Sequence, residues 1–155
     1  MDRLHNIVKQ IDKNDENVNV LLTAIRNLGQ QLQSLQQHAA SFDESQYNSS
    51  ATQLQAELEG SIPRIQDNLV QNDNLIQRMM DLFFELDAGP HLDKLSTEFG
   101  NYQQVHLEKR DLIDGYNHEE ITLETLVASW PQDNSIKQLS SEIDELSALF
   151  ASSGL

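Results

Sequence analysis

The chain has 155 residues, of which 38% are hydrophobic and 6% aromatic, with a mean hydropathy of -0.52. It has no cysteine, which excludes disulfides, thiolate catalysis and a cysteine zinc site. Ten Lys and Arg against 25 Asp and Glu leave a formal net charge of -15, which opposes binding to nucleic acid and to anionic membrane surfaces.

The first element carries the clearest pattern. Alternate steps of four and three from Ile7 give Ile7, Ile11, Asn14, Val18, Leu21, Ile25, Leu28, Leu32, Leu35 and Ala39, a heptad seam with one polar member. The spacing predicts a helix over residues 2–40, ended by the turn-prone stretch SFDESQYNSS at residues 41–50. A second helix is predicted over 51–87, with Leu54, Leu58, Ile62, Ile65, Leu69, Asn72, Ile76, Met79, Phe83 and Leu86 on its seam. Gly60 and Pro63 predict a kink or restart near 60–63, with Ser61 as the cap of the next turn. Gly89 followed by Pro90 predicts the stop.

A third helix is predicted over 91–129. Its seam weakens at His106, Lys109 and Glu120, so its middle is expected to pack less tightly or to shift to Val105 and Leu112. A stop at Gly115 with a restart capped by Asn117 and Glu120 is the alternative, and the continuous helix is preferred. A shorter fourth helix is predicted over 134–152, with Ile136, Leu139, Ile143, Leu146 and Phe150 at heptad steps. The expected fold is all-α, an elongated helical bundle or coiled coil of three long helices plus a shorter C-terminal one, in a single domain over 1–155. No run approaches the roughly 20 apolar residues of a membrane span, so no membrane insertion is expected and the chain reads as cytoplasmic.

Motifs of catalysis and of metal or nucleotide binding do not emerge. The five histidines form neither an HExxH nor a Glu-x-x-His pattern, and there is no Gly-rich phosphate loop or G-x-S-x-G elbow. The chain is therefore expected not to be an enzyme and to hold no cofactor. His118 reads as helix surface, because a zinc site needs three or four convergent ligands. His106, on the apolar line, reads as a half-buried packing residue.

Two groups of residues are candidates for partner contacts. Met79, Phe83 and Leu86 in RMMDLFFELD continue the seam and read as core, whereas Met80 and Phe84 could face a partner helix or an apolar ligand. On a continuous third helix, Tyr116, Leu123 and Trp130 stand at heptad spacing on one face, a stripe that serves either as core or as an interface anchor. Asn14 and Asn72 lie on seams, where a buried amide fixes register or partner choice, or marks a local opening of the bundle. On the register reading, Asn14→Leu or Asn72→Leu is expected to raise stability.

In LIDGYNHEEITLETLVASW a Leu-rich helix reaches a Tyr-Asn pair and then, at the spacing of Tyr116 and Trp130, a tryptophan. The preceding LDAGPHLDKLSTEFGNYQQVHLEKRDLIDGYN supplies an apolar helix, a break with Pro and a Gln-containing helix. From about Leu75 to Leu146 the chain thus resembles the dynactin subunit 3 family, the small shoulder subunit of dynactin. The resemblance implies an all-helical, non-catalytic subunit of the complex that works with dynein in microtubule-based transport. It also implies dynamitin and p150Glued-type chains as partners, and association with the cytoskeleton. Heptads alone equally suit a subunit of a vesicle-tethering or kinetochore complex, and a self-contained bundle binding an apolar ligand near Met80 and Phe84 is the alternative of another class.

Overall fold

The computed structural model describes residues 2–41, 43–85, 90–132 and 135–153. Five α-helices follow one another: α1 (Asp2–Gln37), α2 (Glu44–Glu85), α3 (Pro90–Asn117), α4 (Leu123–Ser129) and α5 (Ser135–Ser153), with a short 3-10 turn at Ala39–Ser41. No strand occurs among the described residues. The all-α class expected from the periodicity is the class observed.

Three boundaries differ from expectation. Helix α2 starts at Glu44 rather than at residue 51, because the Asp43 carboxylate accepts the backbone N–H of Gln46 at 2.8 Å and caps the first turn. The helix also runs unbroken through Gly60 and Pro63. Ser61 is not a cap, since its hydroxyl donates back to the carbonyl of Glu57 at 3.1 Å. Pro63 is exposed, so water can satisfy the Glu59 carbonyl that the missing N–H leaves free. Leu86 and the proposed stop at Gly89 lie outside the described residues.

The third correction concerns the helix expected over 91–129, which is two helices. Helix α3 closes with the N–H of Glu120 on the carbonyl of Gly115 at 2.8 Å and that of Glu119 on Tyr116 at 3.1 Å, the bond pair of a Schellman motif. Glu119 takes the left-handed conformation this requires, with φ of 59°. A Cβ on Gly115 would lie 3.5 Å from Ile121 Cγ1, so the chain folds back with Ile121 over that glycine. The restart is capped by Thr122, whose hydroxyl accepts the N–H of Thr125 at 3.2 Å, and not by Asn117.

The long helices alternate in direction. His5 bonds Asp144 at 2.7 Å and Lys94 pairs with Glu142 at 2.8 Å, so the starts of α1 and α3 lie beside the C-terminal half of α5. Packing runs α1 on α2, α3 on α5, α1 on α5 and α2 on α3, which makes an up-down-up-down four-helix body. One core cluster joins Leu4, Ile7, Val8 and Ile11 of α1 to Met79 of α2, Tyr102 of α3 and Leu139 of α5, and Phe83 meets Phe99 edge-on at 4.9 Å. The second joins Val18, Leu22 and Ile25 to Ile65 and Leu69 of α2, Ile113 of α3, and Leu126 and Trp130 at α4.

On α1 the buried stripe is wider than the predicted seam, since Leu4, Val8, Asp15 and Leu22 are buried as well. A helix with neighbours on two sides must bury more than a two-stranded seam. At 1.5 Å per residue α1 and α2 are about 55 and 60 Å long and α5 about 30 Å, so α1 and α2 outrun the body as a two-helix arm. No residue after Ile25 in α1 or before Leu58 in α2 is buried among those described.

Glu119→Gly is expected to raise stability by about 1 kcal/mol, because it removes the left-handed strain of a residue with a Cβ. Thermal denaturation followed by circular dichroism measures it, and an unchanged or lower Tm contradicts this account of the α3 stop.

Candidate functional site: a buried polar layer beneath a cleft

Between the two apolar clusters lies a layer of hydrogen-bonded polar side chains from α1, α2 and α3. Asn14 and Asn72 are buried, and Asn14 Nδ2 donates to Asn72 Oδ1 at 2.9 Å. Asn72 Nδ2 donates in turn to Asp15 Oδ1 at 3.0 Å and lies 3.4 Å from the Tyr102 hydroxyl. That hydroxyl donates to Asp15 Oδ2 at 3.4 Å. Lys109 Nζ, also buried, stands 3.9 Å from Asp15 Oδ1 and 6.0 Å from the centre of the Trp130 ring.

Outside this layer His106 packs its ring over Tyr102, with centroids 6.3 Å apart. Its Nε2 bonds Asp73, whose other oxygen is held by Arg110. His106 Nδ1 is buried without a partner, which favours the tautomer with the proton on Nε2, since an unpartnered buried N–H costs more than an unpartnered lone pair.

Burial pushes the Asp15 carboxyl above its ordinary 3.8, and Lys109, Tyr102 and Asn72 pull it back only in part. Asp15 and Lys109 form the floor of a cleft of about 380 Å³ between α1, the end of α4 and the start of α5. Asp12, Glu16 and Arg26 of α1, Trp130 after α4 and Lys137 of α5 line it as well. Both signs of charge meet there, so the cleft is equipped for ion pairing and hydrogen bonding. Among the described residues no group of three or more His, Asp or Glu could hold a metal ion, and no helix is long and apolar enough to cross a membrane.

The residues singled out in the sequence fall in different places. Asn14 and Asn72, from separate seams, are brought into direct contact. Both are satisfied, which reverses the expected gain in stability from replacing them by leucine. Tyr116, Leu123 and Trp130 do not share one helix, since Tyr116 ends α3, Leu123 opens α4 and Trp130 follows it. They converge nonetheless: Trp130 is 7% exposed inside the second cluster, with Tyr116 and Leu123 half-buried against it. Met80 packs half-buried on the first cluster, and Gln103 donates to its sulfur at 3.6 Å. The side chain of Phe84 lies outside the described residues.

Asp15, Tyr102, Lys109 and the Asp73–Arg110 pair were not singled out. The usable signal was the polar run His106 and Lys109 on the α3 seam, which is buried in place, while Val105 and Leu112 are half-buried. Polar seam positions on three helices can satisfy one another only if they lie at the same level. No protein-family model, curated protein or solved structure matches the chain.

Three outcomes are expected at the site. Asn72→Leu leaves Asn14 Nδ2 without an acceptor and Asp15 Oδ1 without its amide donor, so it should cost about 3 kcal/mol or more, and Asn14→Leu about half that. Urea titration of both variants measures the order, and equal losses contradict the network. Trp130→Ala should destabilise the chain by about 3 to 5 kcal/mol, whereas Trp130→Phe keeps most of the ring and deletes the buried Nε1 donor that lacks a partner. The Phe variant should therefore retain near wild-type stability.

The pH dependence of Asp15 has a definite sign. Its folded value is raised, so the folded state binds the proton more tightly than the unfolded chain, and the associated stability is full below 3.8 and lost as pH rises through the folded value. The stability of Asp15→Asn relative to wild type should consequently increase as pH is raised across that window. A relative stability that falls with rising pH would show that Lys109 and the hydrogen bonds outweigh burial.

Proposed function

We propose that the chain is a non-catalytic helical scaffold or adaptor subunit whose seams are completed by other helices. The observation that carries this reading is the arm. Helices α1 and α2 continue their heptad pattern past the four-helix body with Leu28, Leu32, Leu35 and Leu54 only half-buried. A self-contained domain gains little from some 25 Å of seam that its own helices leave half covered. Exposed Val20 at 68% and Leu107 at 55% add apolar area on the sides of the body.

The parent assembly proposed is the dynactin shoulder, with dynamitin and p150Glued-type chains as partners in cytoskeletal transport. Its support is the resemblance of residues 75–146 together with an all-helical fold. The test is affinity purification of the tagged full chain from its own cells. Dynactin shoulder chains are expected in stoichiometric amounts. A different set of helical subunits overturns the dynactin assignment and leaves the scaffold reading, whereas recovery of the chain by itself overturns both.

A further inference from the structure

We infer that the α1–α2 arm is a self-association surface on which a second copy of this chain docks to form a four-helix arrangement. The inference deepens the scaffold reading by naming the partner of one seam, and it starts from where the charge lies. Residues 27–56 contain two charged side chains, Asp43 and Glu44, out of the 25 acidic and 10 basic residues in the chain. Both belong to the start of α2, where Asp43 caps the helix and Glu44 occupies its first turn. Everywhere else the chain carries 23 acidic residues against all 10 basic ones.

That distribution discriminates between occupants. A basic partner would be drawn to the acidic body, where 23 of the 25 acidic residues lie outside residues 27–56, rather than to the arm. A second copy is repelled by the body, and the arm is the surface over which two copies approach with least repulsion. An isologous pair also matches the arm chemically, because each copy presents the same amides to the other. Gln30, Gln33, Gln53 and Gln55 are exposed there, and amides are both donors and acceptors.

The shape is suited to the same occupant. A groove of about 420 Å³ runs along the arm between Leu32 and Gln36 of α1 and Ala51, Thr52, Gln55 and Ala56 of α2, with Glu59 at its end. Its small side chains on α2 leave room for a large apolar knob from outside. The arm carries such knobs itself, in Leu32 and Leu35, so each copy can supply both knob and groove.

Sedimentation equilibrium on the full chain, from about 1 to about 100 µM, tests the proposal. The mass is expected to rise towards twice the 17.6 kDa of the chain and to rise further with added salt, which screens the repulsion between bodies. Leu32→Glu and Leu35→Glu should each weaken association about tenfold or more while helical circular dichroism is retained. The absence of native cysteine allows a second test that does not depend on destabilising the arm. Gln36→Cys should form an intermolecular disulfide under mild oxidation, and Asp111→Cys, exposed on α3, should not. A monomer throughout the range overturns self-pairing, as does a dimer that survives both glutamates and crosslinks through Asp111→Cys. A monomer that still co-purifies with other helical chains overturns only this inference and leaves the scaffold reading intact.

Discussion

The hydrogen-bonded layer of Asn14, Asn72, Asp15 and Tyr102 ties α1, α2 and α3 together at one level of the body. Leucine and isoleucine are nearly interchangeable across a heptad seam, so apolar packing alone tolerates α2 sliding along α1 by seven residues. Such a slip moves Asn72 about 10 Å from Asn14 and Asp15. It would strand a buried carboxylate and two amides in apolar surroundings, at about 1 to 3 kcal/mol for each unsatisfied group and more for the charge. The layer adds little net stability over an apolar core. Its effect is that only one alignment of three helices satisfies every member.

The helical class, the two ends of α1 and the extent of α5 were legible because they rest on local periodicity. So was the burial of Ile7, Ile11, Val18 and Ile25, which any seam-based reading of α1 yields. The early start of α2 was not, since Asp43 and the serines around it carry equal signals for a turn and for a cap. The split of α3 turned on Glu119, a residue that composition marks as a helix former and that the chain places at positive φ. At the site, Asn14 and Asn72 could be recognised one at a time. Their pairing could not, because the sequence gives no vertical offset between helices until the fold brings Asp15, Tyr102 and Lys109 to the same level.

Helix length divides the molecule into two physical regimes. Where α3, α4 and α5 flank the first pair, residues such as Ile11, Ile65, Leu139 and Ile143 are fully buried, and apart from the buried Asp15 and Lys109 charge lies in exposed pairs like Lys94 with Glu142. Those exposed pairs contribute little to stability. Between residues 27 and 56 the chain carries two charged side chains, Asp43 and Glu44, and the leucines of the first two helices there are only half-buried. An acidic body limits non-specific contact, while the sparsely charged arm leaves one surface on which helical contact meets less repulsion.

The α3 stop connects these features to the aromatic pair fourteen residues apart. Had α3 continued straight to residue 129, Trp130 would stand about 20 Å beyond Tyr116 along the helix axis, far past Lys109. The left-handed Glu119 and the packing of Ile121 on Gly115 turn the chain back instead. Helix α4 then returns Trp130 to the level of Asp15 and Lys109, where its ring lines the same cleft, 6.0 Å from Lys109 Nζ. An apolar ring beside a buried ion pair lowers the local dielectric, which strengthens hydrogen bonds to the carboxylate and raises the cost of its charge together.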